Sequence, residues 1–325
     1  MENDSAVPLW LSEAHVRAAL SLEKLIGAME RALSAFSAGE VDQPVRTAME
    51  LRDRTFFALM PAYHRGAATL GAKLVSVVPE NAARELPTHL AAISLFDPET
   101  GELLAVMDGR YITEARTAAV SAVSVSYLAR KDAAVAAILG SGVQARSHAA
   151  ALRLARNFAE IRAWSPTEAH LRAFAEECGV AAAPSAAEAV RGADVIVLAT
   201  NMTTPAIESG WVDAGAHVVS IGACRPSHRE LDPRLVARSR LVVDSRAAAY
   251  VESGDVIQGI REGWFSREHV AAELGEVTGG RAPGRADGRE ITVFKALGLA
   301  IEDVTAAALA YRQAREMGLG IEVRP

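Results

Sequence analysis

One stretch of sequence limits the possible folds more than any other. An apolar run from Ala133 leads into a glycine turn and then into an Ala- and Leu-rich segment that ends near Arg156. Within the turn, Gly140 permits a tight bend, Gly142 lets the backbone approach a pyrophosphate, and Ala145 lets a helix lie close to its strand. A helix N-terminus also offers N–H groups and a positive dipole end to phosphates. The stretch therefore predicts the first strand–helix unit of a dinucleotide-binding domain.

Apolar runs after the glycine turn extend this pattern. They cover residues 160–165, 194–200, 217–222 and 240–245, with a short one near Val180. Near-continuous apolar runs separated by helical segments are typical of parallel strands that are buried on both faces. We therefore predict an α/β fold with a Rossmann-type doubly wound parallel sheet of about six strands.

The region before the glycine turn has a different pattern. Ser21 can cap an amphipathic helix that runs from Leu22 to Phe36 and ends at Gly39. Three runs rich in β-formers follow, and a turn signal precedes a fourth. These runs are residues 55–63, 68–79, 90–97 and 102–107, and further helices are predicted at about 112–130 and 301–317. The pattern indicates an α+β domain.

Because the last helix follows the nucleotide-binding region, we expect this α+β domain to be discontinuous. It would comprise residues 1–125 and 300–325, and the NAD(P)-binding domain would comprise residues 126–299. A dinucleotide domain joined to a second domain usually forms a cleft in which nicotinamide meets substrate. The discontinuous domain is therefore expected to supply the ligands of the substrate.

Charge and cysteine content exclude several classes of function. The formal net charge of −6 comes from mixed signs without a basic stripe, which argues against nucleic-acid binding. Cys178 and Cys224 have neither metal-ligand spacing nor a disulfide pattern, so no metal and a reducing, cytoplasmic compartment are expected. Glu2 and Asp4 argue against a signal peptide. No run reaches the ~18 apolar residues of a membrane span.

Three basic residues lie in unexpectedly apolar surroundings. Lys73 lies within Gly71-AKLVSVVP, Arg116 lies in a helix of small and apolar residues, and Arg46 follows Pro44 in an extended segment. Most Lys and Arg side chains are solvated surface charges, and that role is open for each of them. The other interpretation is that all three converge on one anionic ligand.

Several segments resemble, in order and spacing, the ornithine cyclodeaminase/mu-crystallin family, from about Arg46 to the last helix. They begin at Gly71, Leu86, Thr113, Gly140, Gly222 and Ile291, and read GAKLVSVVPEN, LPTHLAAISLFDPETGELLAVMDG, TEARTAAVSA, GSGVQA, GACRPSHRELD and ITVFKALGLAIED. The resemblance implies a homodimer that pairs through the sheets of the two α+β domains. Members of the family include ornithine and lysine cyclodeaminases, an archaeal alanine dehydrogenase, and reductases of ketimines and cyclic imino acids.

The family pattern places the substrate carboxylate against Arg46, Lys73 and Arg116. Thr88, in the proline–threonine turn, is either a further substrate ligand or an ordinary turn hydroxyl. Asp303 belongs to a family signature, but a carboxylate at a helix start is also stabilised by the helix dipole. Both interpretations stay open for these two residues.

Cys224 is the departure from the family pattern that bears most on function. Cyclodeaminases and the alanine dehydrogenase carry an aspartate there that meets the substrate amine, whereas a thiol cannot hold an ammonium group by charge. The segment resembles the ketimine reductase/mu-crystallin branch, in which Glu252 also matches a position that lines the active site. The resemblance thus implies an NAD(P)H-dependent reductase of imines adjacent to a carboxylate, with Lys73 or Glu252 supplying or stabilising the proton.

Two other functions stay open from the sequence. One is an ornithine or lysine cyclodeaminase, or an amino-acid oxidoreductase like alanine dehydrogenase, in which another carboxylate replaces the missing aspartate. The other is a protein of the mu-crystallin type that binds NADPH and a small acid without turnover. Cys224 favours imine reduction over the first of these functions, and the binding function stays open.

Cofactor choice depends on the end of the second strand of the nucleotide domain. An NAD enzyme places Asp or Glu there for the ribose hydroxyls, but this chain has Trp164, Ser165, Pro166 and Thr167. NADP(H) is therefore predicted over NAD(H). The predicted cofactor contacts are Thr113, Gly140, Gly142, Val143, Gln144, Ser165, Thr167, Thr200, Asn201 and Gly222. For Thr113, a hydrogen bond to the preceding helical turn is the alternative.

Overall fold

The computed structural model describes residues 7–52 and 55–323. Glu2 and Asp4, on which the prediction about a signal peptide rests, lie outside them. The chain divides into two compact units, the first comprising Met1–Arg116 with Leu299–Pro325 and the second comprising Thr117–Gly298. The sequence instead predicts the first boundary after residue 125. The boundary after Arg116 falls inside one helix, Arg110–Leu128. The helical periodicity continues across this boundary, so the sequence does not indicate it.

The secondary structure comprises sixteen strands and eleven α-helices within the described residues. The strands are β1 (Leu9–Leu11), β2 (Val41–Asp42), β3 (Thr47–Arg52), β4 (Thr55–His64), β5 (Thr69–Val77), β6 (His89–Phe96), β7 (Leu103–Asp108), β8 (Val135–Leu139), β9 (Glu160–Trp164), β10 (Ala181–Ala182), β11 (Val195–Leu198), β12 (His217–Ser220), β13 (Arg240–Val243), β14 (Val270–Glu273), β15 (Thr292–Lys295) and β16 (Ile321–Glu322). The helices are α1 (Glu13–Ala19), α2 (Leu22–Ser37), α3 (Arg110–Leu128), α4 (Val143–Ala155), α5 (Glu168–Cys178), α6 (Ala186–Val190), α7 (Pro233–Ala237), α8 (Arg246–Glu252), α9 (Gly254–Arg261), α10 (Leu274–Thr278) and α11 (Ala300–Met317).

The first unit is built on one sheet with the order β16-β1-β7-β6-β5-β4-β2, and β3 also pairs with β4. Neighbouring strands are antiparallel except β1 and β7. Helix α11 packs on the strands β4, β5 and β6 and on α2. The predicted cap of α2 is present, because the Ser21 hydroxyl accepts a hydrogen bond from the Lys24 N–H.

Burial alternates along the central strands of this sheet. On β5, Lys73, Val75 and Val77 are buried, whereas Leu74 between them is exposed. Leu74 lies opposite Leu59 of β4, which is also exposed. One face of the sheet therefore forms the core, and Lys73 is placed on that face.

The second unit contains eight parallel strands in the order β10-β9-β8-β11-β12-β15-β13-β14. The predicted α/β fold with a doubly wound parallel sheet is confirmed, but the expected count of about six strands is two short. Both β14 and β15 are four residues long and end in a charged residue, so neither forms a long apolar run. None of the helices in the described part of the chain is both long and apolar enough for a membrane span.

Candidate functional site

Five charged residues of the first unit form what we call the first-unit ion cluster: Arg46, Lys73, Arg116, Glu302 and Asp303. Lys73 Nζ lies 2.5 Å from Asp303 Oδ2. Arg116 donates from Nε to Asp303 Oδ1 at 3.0 Å and from Nη1 to Glu302 Oε2 at 2.7 Å. These four side chains are almost completely buried, and Arg46, which is half-buried, lies within electrostatic reach of Lys73.

The close packing of α11 on β5 brings the cluster together. A Cβ atom on Gly71 would lie 2.7 Å from Ser94 O and 3.3 Å from Val304 Cγ1. Glycine thus lets the sheet and the helix approach, and the first turn of α11 carries Glu302 and Asp303 toward Lys73, two residues beyond Gly71 on β5. Asp303 is therefore both a helix-start carboxylate and the ion-pair partner of two cations.

Burial and charge together set the protonation of the cluster. Burial lowers the pKa of Lys73 to about 8, with Arg116 and Arg46 acting in the same direction and Asp303 opposing them. Burial also acts to lower the pKa of Arg116, but Asp303 and Glu302 outweigh it and hold that pKa above its ordinary value. Burial raises the pKa of Asp303, yet Arg116 and Lys73 bring it below its ordinary value.

The two buried cations, Lys73 and Arg116, pair with the two buried carboxylates of Glu302 and Asp303, and the half-buried Arg46 lies within electrostatic reach of Lys73. Guanidinium and ammonium groups grouped in this way can bind a ligand carboxylate through charge-assisted hydrogen bonds. The structure brings Lys73, Arg116 and Asp303 into direct contact and places Arg46 within electrostatic reach of Lys73. Sequence reasoning missed Glu302, although its position beside Asp303 in an otherwise apolar helix start was a usable signal.

Two other predicted residues of the first unit lie outside these contacts. Thr88 is half-buried before β6, and its carbonyl accepts a hydrogen bond from the Val78 N–H at 2.9 Å. The pairings Val77 with His89 and Lys73 with Ile93 place Thr88 more than four strand positions from Lys73, which is roughly 15 Å. The Thr113 hydroxyl donates to the carbonyl of Gly109, four residues earlier, at 2.8 Å.

In the second unit, the glycine turn joins β8 to α4. Gly140 has φ +122°, and a Cβ atom there would lie 2.3 Å from Ala199 O. Gly142 caps α4 without a side-chain hydrogen bond, and no heavy atom lies within 4 Å of a Cβ built on it. The backbone ladder begins with the Arg146 N–H donating to Gly142 O, so the preceding N–H groups are not used within the helix.

These features fit the diphosphate of a dinucleotide. Val143 opens α4 and is exposed, Gln144 follows it half-buried, and Ala145 is fully buried where the helix meets the sheet. The turn lies between strands β9 and β11, on either side of β8, where a doubly wound sheet binds its ligand. The residues present therefore suit a nicotinamide dinucleotide, with the helix N-terminus toward the phosphates.

The residues at the end of β9 are expected to determine whether the protein prefers NAD(H) or NADP(H). Ser165 is buried, and its hydroxyl accepts a hydrogen bond from Ser141 Oγ at 2.9 Å. Thr167 is exposed and caps α5 without a side-chain hydrogen bond to the helix. Ser141 belongs to the glycine turn, so the hydroxyl of Ser165 is directly connected to the expected phosphate site.

Thr200 and Gly222 follow neighbouring strands, β11 and β12, and one buried carboxylate joins them. Glu230 Oε1 accepts from the Thr200 N–H at 3.0 Å and from its hydroxyl at 2.7 Å, while Oε2 accepts from the Gly222 N–H at 2.8 Å. Asn201, the next residue after Thr200, is exposed. Glu230 lies in the segment that begins at Gly222, but the sequence alone predicts no role for this residue.

Cys224 and Glu252 also belong to the second unit, whereas Lys73 belongs to the first. The half-buried Cys224 donates from Sγ toward Ile221 O at 3.4 Å, and its Sγ lies 4.0 Å from Ala296 O. Glu252 ends α8 and is half-buried. Among the described residues, no group of three or more His, Cys, Asp or Glu has the arrangement of a metal site.

Comparisons with known proteins agree on one family. Residues 6–318 match the ornithine cyclodeaminase/mu-crystallin family. Ketimine reductase mu-crystallin from Rattus norvegicus is 43% identical over 311 residues, which cover 94% of this chain and 96% of that protein.

Two solved structures are similar over almost their whole length. Thermococcus litoralis Delta(1)-pyrroline-2-carboxylate reductase, in complex with NADH and L-proline, has a TM-score of 0.94 and 39% identity and covers 97% of this chain and 100% of its own. An archaeal alanine dehydrogenase dimer with bound NAD has a TM-score of 0.93 and 33% identity, with coverages of 98% and 99%.

Proposed function

Because this chain belongs to the ornithine cyclodeaminase/mu-crystallin family, as its motifs predict, we propose that it is a nicotinamide-dependent reductase of imines adjacent to a carboxylate. Its product would be the corresponding amino acid. The observation that carries the proposal is the grouping of Lys73 and Arg116 around Asp303, with Arg46 within electrostatic reach of Lys73. In support, the similar Thermococcus litoralis reductase binds L-proline, whose ring nitrogen is adjacent to a carbon that bears a carboxylate.

Four residues of the cluster have a role in this proposal. Arg46 and Arg116 bind the substrate carboxylate through charge-assisted hydrogen bonds. A bound, reduced nicotinamide would supply the hydride for the imine carbon. We assign delivery of the proton to Lys73, because an ammonium group with a pKa of about 8 is protonated at neutral pH and still transfers a proton readily. Asp303 holds Lys73 and Arg116 in place.

Cys224 and Glu252 are assigned to substrate choice within the same proposal. Cys224 presents a thiol where the cyclodeaminases place an aspartate, so it offers no carboxylate to a substrate ammonium group. Glu252 is the counter-charge that we expect for a protonated imine. Thr88 stays a candidate substrate ligand, and Thr113 and Asn201 stay candidate cofactor contacts.

The proposal is tested by following the oxidation of NADPH and NADH with cyclic pyrroline and piperideine carboxylates. We expect turnover that is lost in Arg46→Ala and in Lys73→Met but is retained in Arg172→Ala, since Arg172 is exposed on α5. Release of ammonia from ornithine or lysine without imine reduction would replace the proposal by cyclodeamination. Tight binding of NADPH and of a small acid without turnover would replace it by a binding function.

We also propose that NADPH is preferred over NADH. Residues 164–167 contain no acidic side chain to repel a 2′-phosphate, and the hydroxyl groups of Ser165 and Thr167 can donate to one. The similar structures contain NADH or NAD, so the preference would distinguish this chain from those relatives. Equilibrium binding of NADPH and NADH to the same preparation measures it directly, and tighter binding of NADH would contradict it.

We further propose a homodimer that pairs through the sheet of the first unit. Met49, Leu51, Leu59, Leu74 and Leu90 are each at least 41% exposed, and Leu59 and Leu74 are direct cross-strand neighbours. An exposed apolar face of this kind is typical of an interface. Sedimentation should give a dimer for the wild type and a monomer for Leu59→Glu/Leu74→Glu.

We also propose a reducing, cytoplasmic location. Cys178 and Cys224 are both free cysteines in the described chain.

A further inference from the structure

A second group of buried charges lies in the second unit, and we call it the Glu230 network: Thr200, Ser220, Gly222, Glu230, Asp255 and Lys295. Four donors converge on the Glu230 carboxylate. Oε1 accepts the two hydrogen bonds from Thr200, and Oε2 accepts from the Gly222 N–H at 2.8 Å and from the Ser220 hydroxyl at 2.7 Å. Burial raises the pKa of Glu230, against the pull of Lys295 and of the hydroxyl donors. An ionised carboxylate accepts all four bonds, whereas a protonated one would require the hydroxyl of Thr200 or Ser220 to turn and accept instead.

A second layer of contacts holds Glu230 itself. Lys295 Nζ donates to Ser220 Oγ at 3.1 Å and lies 3.3 Å from Asp255 Oδ2. Asp255 Oδ1 accepts from the Glu230 N–H at 2.7 Å and from the Leu231 N–H at 2.8 Å. Glu230, Asp255 and Lys295 are at most 2% exposed. The carboxylate is therefore fixed at both its backbone and its oxygens.

The network connects the loops that follow β11 and β12. In a doubly wound sheet the turn after the first strand holds the pyrophosphate, and the side toward the second strand holds the adenosine half. Here those strands are β8 and β9, so the other side of the switch point, β11 and β12, is left for the nicotinamide half. Thr200 and Gly222 begin the loops on that side.

We propose that Glu230 is a positioning residue: it sets the loops after β11 and β12 for the nicotinamide half of the cofactor, and its negative charge favours the oxidised cofactor over the reduced one. This inference rests on the proposed function, because it requires a nicotinamide cofactor. It involves none of the residues that we assign to the substrate.

The effect on the redox state follows from the charges of the network. One ammonium group, Lys295, faces two carboxylates, Glu230 and Asp255, so the fully ionised network carries one negative charge. The nicotinamide ring is cationic when oxidised and neutral when reduced. A negative charge buried beneath its binding loops stabilises the cationic form, because a low-dielectric interior screens the attraction weakly. The same charge would assist hydride transfer from the reduced cofactor, during which positive charge develops on the ring.

The test compares Glu230→Gln with the wild type and with Glu176→Gln, an identical substitution at an exposed site on α5. The amide that replaces the Glu230 carboxylate accepts only at its oxygen, so its NH₂ group faces two of the four donors. We expect binding of both NAD(P)⁺ and NAD(P)H to weaken by at least about tenfold, the cost of unsatisfied buried donors. We further expect the oxidised form to lose on the order of fivefold more affinity than the reduced form, because the charge is gone.

Three measurements separate positioning from a merely structural role: the dissociation constants of both redox forms, hydrogen exchange of residues 199–202 and 221–224, and the unfolding midpoint without cofactor. Faster exchange in these loops, together with the unequal loss of affinity, supports the inference. A lowered midpoint with unchanged dissociation constants, or equal loss of both redox forms, overturns it. Glu176→Gln should match the wild type throughout.

A milder variant covers the case in which Glu230→Gln does not fold. Ser220→Ala removes the hydroxyl between Lys295 and Glu230 and leaves both charges in place. We expect cofactor binding a few-fold weaker than in the wild type, and identical binding would overturn the inference. If the wild type bound neither NADH nor NADPH, the proposed function would fail as well. If the wild type reduced imines and the variants bound the cofactor normally, only the inference would fail.

Discussion

The two units bury charged side chains in opposite ways. In the first-unit ion cluster the buried Lys73 and Arg116 pair with Glu302 and Asp303 through side-chain contacts, and Arg46 lies within electrostatic reach of Lys73. In the Glu230 network one ammonium group faces two carboxylates, and these also accept backbone N–H groups of Thr200, Gly222, Glu230 and Leu231. The first arrangement thus groups cations around side-chain carboxylates, whereas in the second the backbone of the loops holds the carboxylates.

This difference separates a site that binds from a scaffold that positions. Burying an ion costs several kcal/mol unless it is paired and hydrogen-bonded, so a group of cations held together in one unit favours an anionic ligand. A carboxylate that is filled by backbone donors offers little to a ligand and instead fixes the loops that it joins. The same kinds of residue thus serve binding in one unit and loop geometry in the other.

The substitution Arg116→Leu is expected to have the largest effect and is the strongest test of this comparison between the two units. It removes the Arg116 contacts of the buried carboxylates of Glu302 and Asp303, and breaking a buried pair costs about 3–5 kcal/mol. Unfolding in urea should show that loss of free energy, and imine reduction should fall below detection. Arg172→Leu is the matched control, since its side chain is 73% exposed and its pair with Glu168 spans 3.8 Å. Equal losses in both variants would contradict the comparison.

Lys73→Met should affect function more than stability in the first unit. This variant breaks one buried pair and leaves Asp303 with Arg116 as a partner, so we expect a smaller loss in the free energy of unfolding than in Arg116→Leu, which breaks two pairs. Loss of the proton donor should lower kcat/KM for an imine by about 10²- to 10⁴-fold. Lys24→Met, at an exposed lysine of the same unit, should keep wild-type activity.

The pH dependence of kcat/KM provides a second test of Lys73 as the proton donor. Burial lowers the pKa of Lys73 to about 8, so the ammonium group is present below that pH and lost above it. In the wild type, kcat/KM should therefore decline as the pH rises through about 8. A rate that stays constant up to about pH 10, the ordinary range of a lysine, would exclude Lys73 as the donor and favour Glu252.

Acid should destabilise the second unit through its buried histidines. Burial lowers the pKa of His148 to about 4 and that of His217 to about 3, from an ordinary value of about 6.5. The unfolded chain therefore binds more protons between these values, and stability is present above pH 6.5 and lost as the pH falls. Each histidine adds a slope of up to about 1.4 kcal/mol per pH unit.

His148→Gln provides the check on that slope. His148 lies between Gln144 O, 2.7 Å from Nδ1, and Ser121 Oγ, 2.8 Å from Nε2, and glutamine is polar without a titrating ring. The pH dependence of the unfolding free energy between the ordinary and the lowered pKa of this histidine should become shallower by up to the contribution of one histidine. A slope equal to that of the wild type would show that His148 does not control acid stability.

Short-range chemistry made much of the fold and part of the site predictable from the sequence. The glycine turn at Gly140 and Gly142 needs those residues wherever a dinucleotide binds, and apolar runs such as 194–200 belong to buried parallel strands. The apolar surroundings of Arg46, Lys73 and Arg116 marked these cations as unusual, but only the family resemblance placed them together at one ligand.

The remainder depends on contacts that sequence periodicity does not encode. Glu230 acts through the loops after two separate strands, and Lys295 meets it only because β15 lies between β12 and β13. That strand order could not be inferred from a four-residue run. Glu302 was missed because a carboxylate at a helix start is usually explained by the helix dipole. The boundary between the units, inside α3, could not be predicted from the sequence because the helical periodicity continues across it.

The smallest expected effect concerns the end of β9, where the second unit lacks a carboxylate. Ser165→Asp places an acid where Ser141 now contacts a hydroxyl, so it should repel a 2′-phosphate and accept from ribose hydroxyls instead. We expect the ratio of the dissociation constants for NADPH and NADH to shift about tenfold toward NADH. Ser165→Asn is the neutral control of equal size and should leave the ratio near that of the wild type. A shift of the same size in Ser165→Asn would show that shape, and not charge, sets cofactor preference at this strand end.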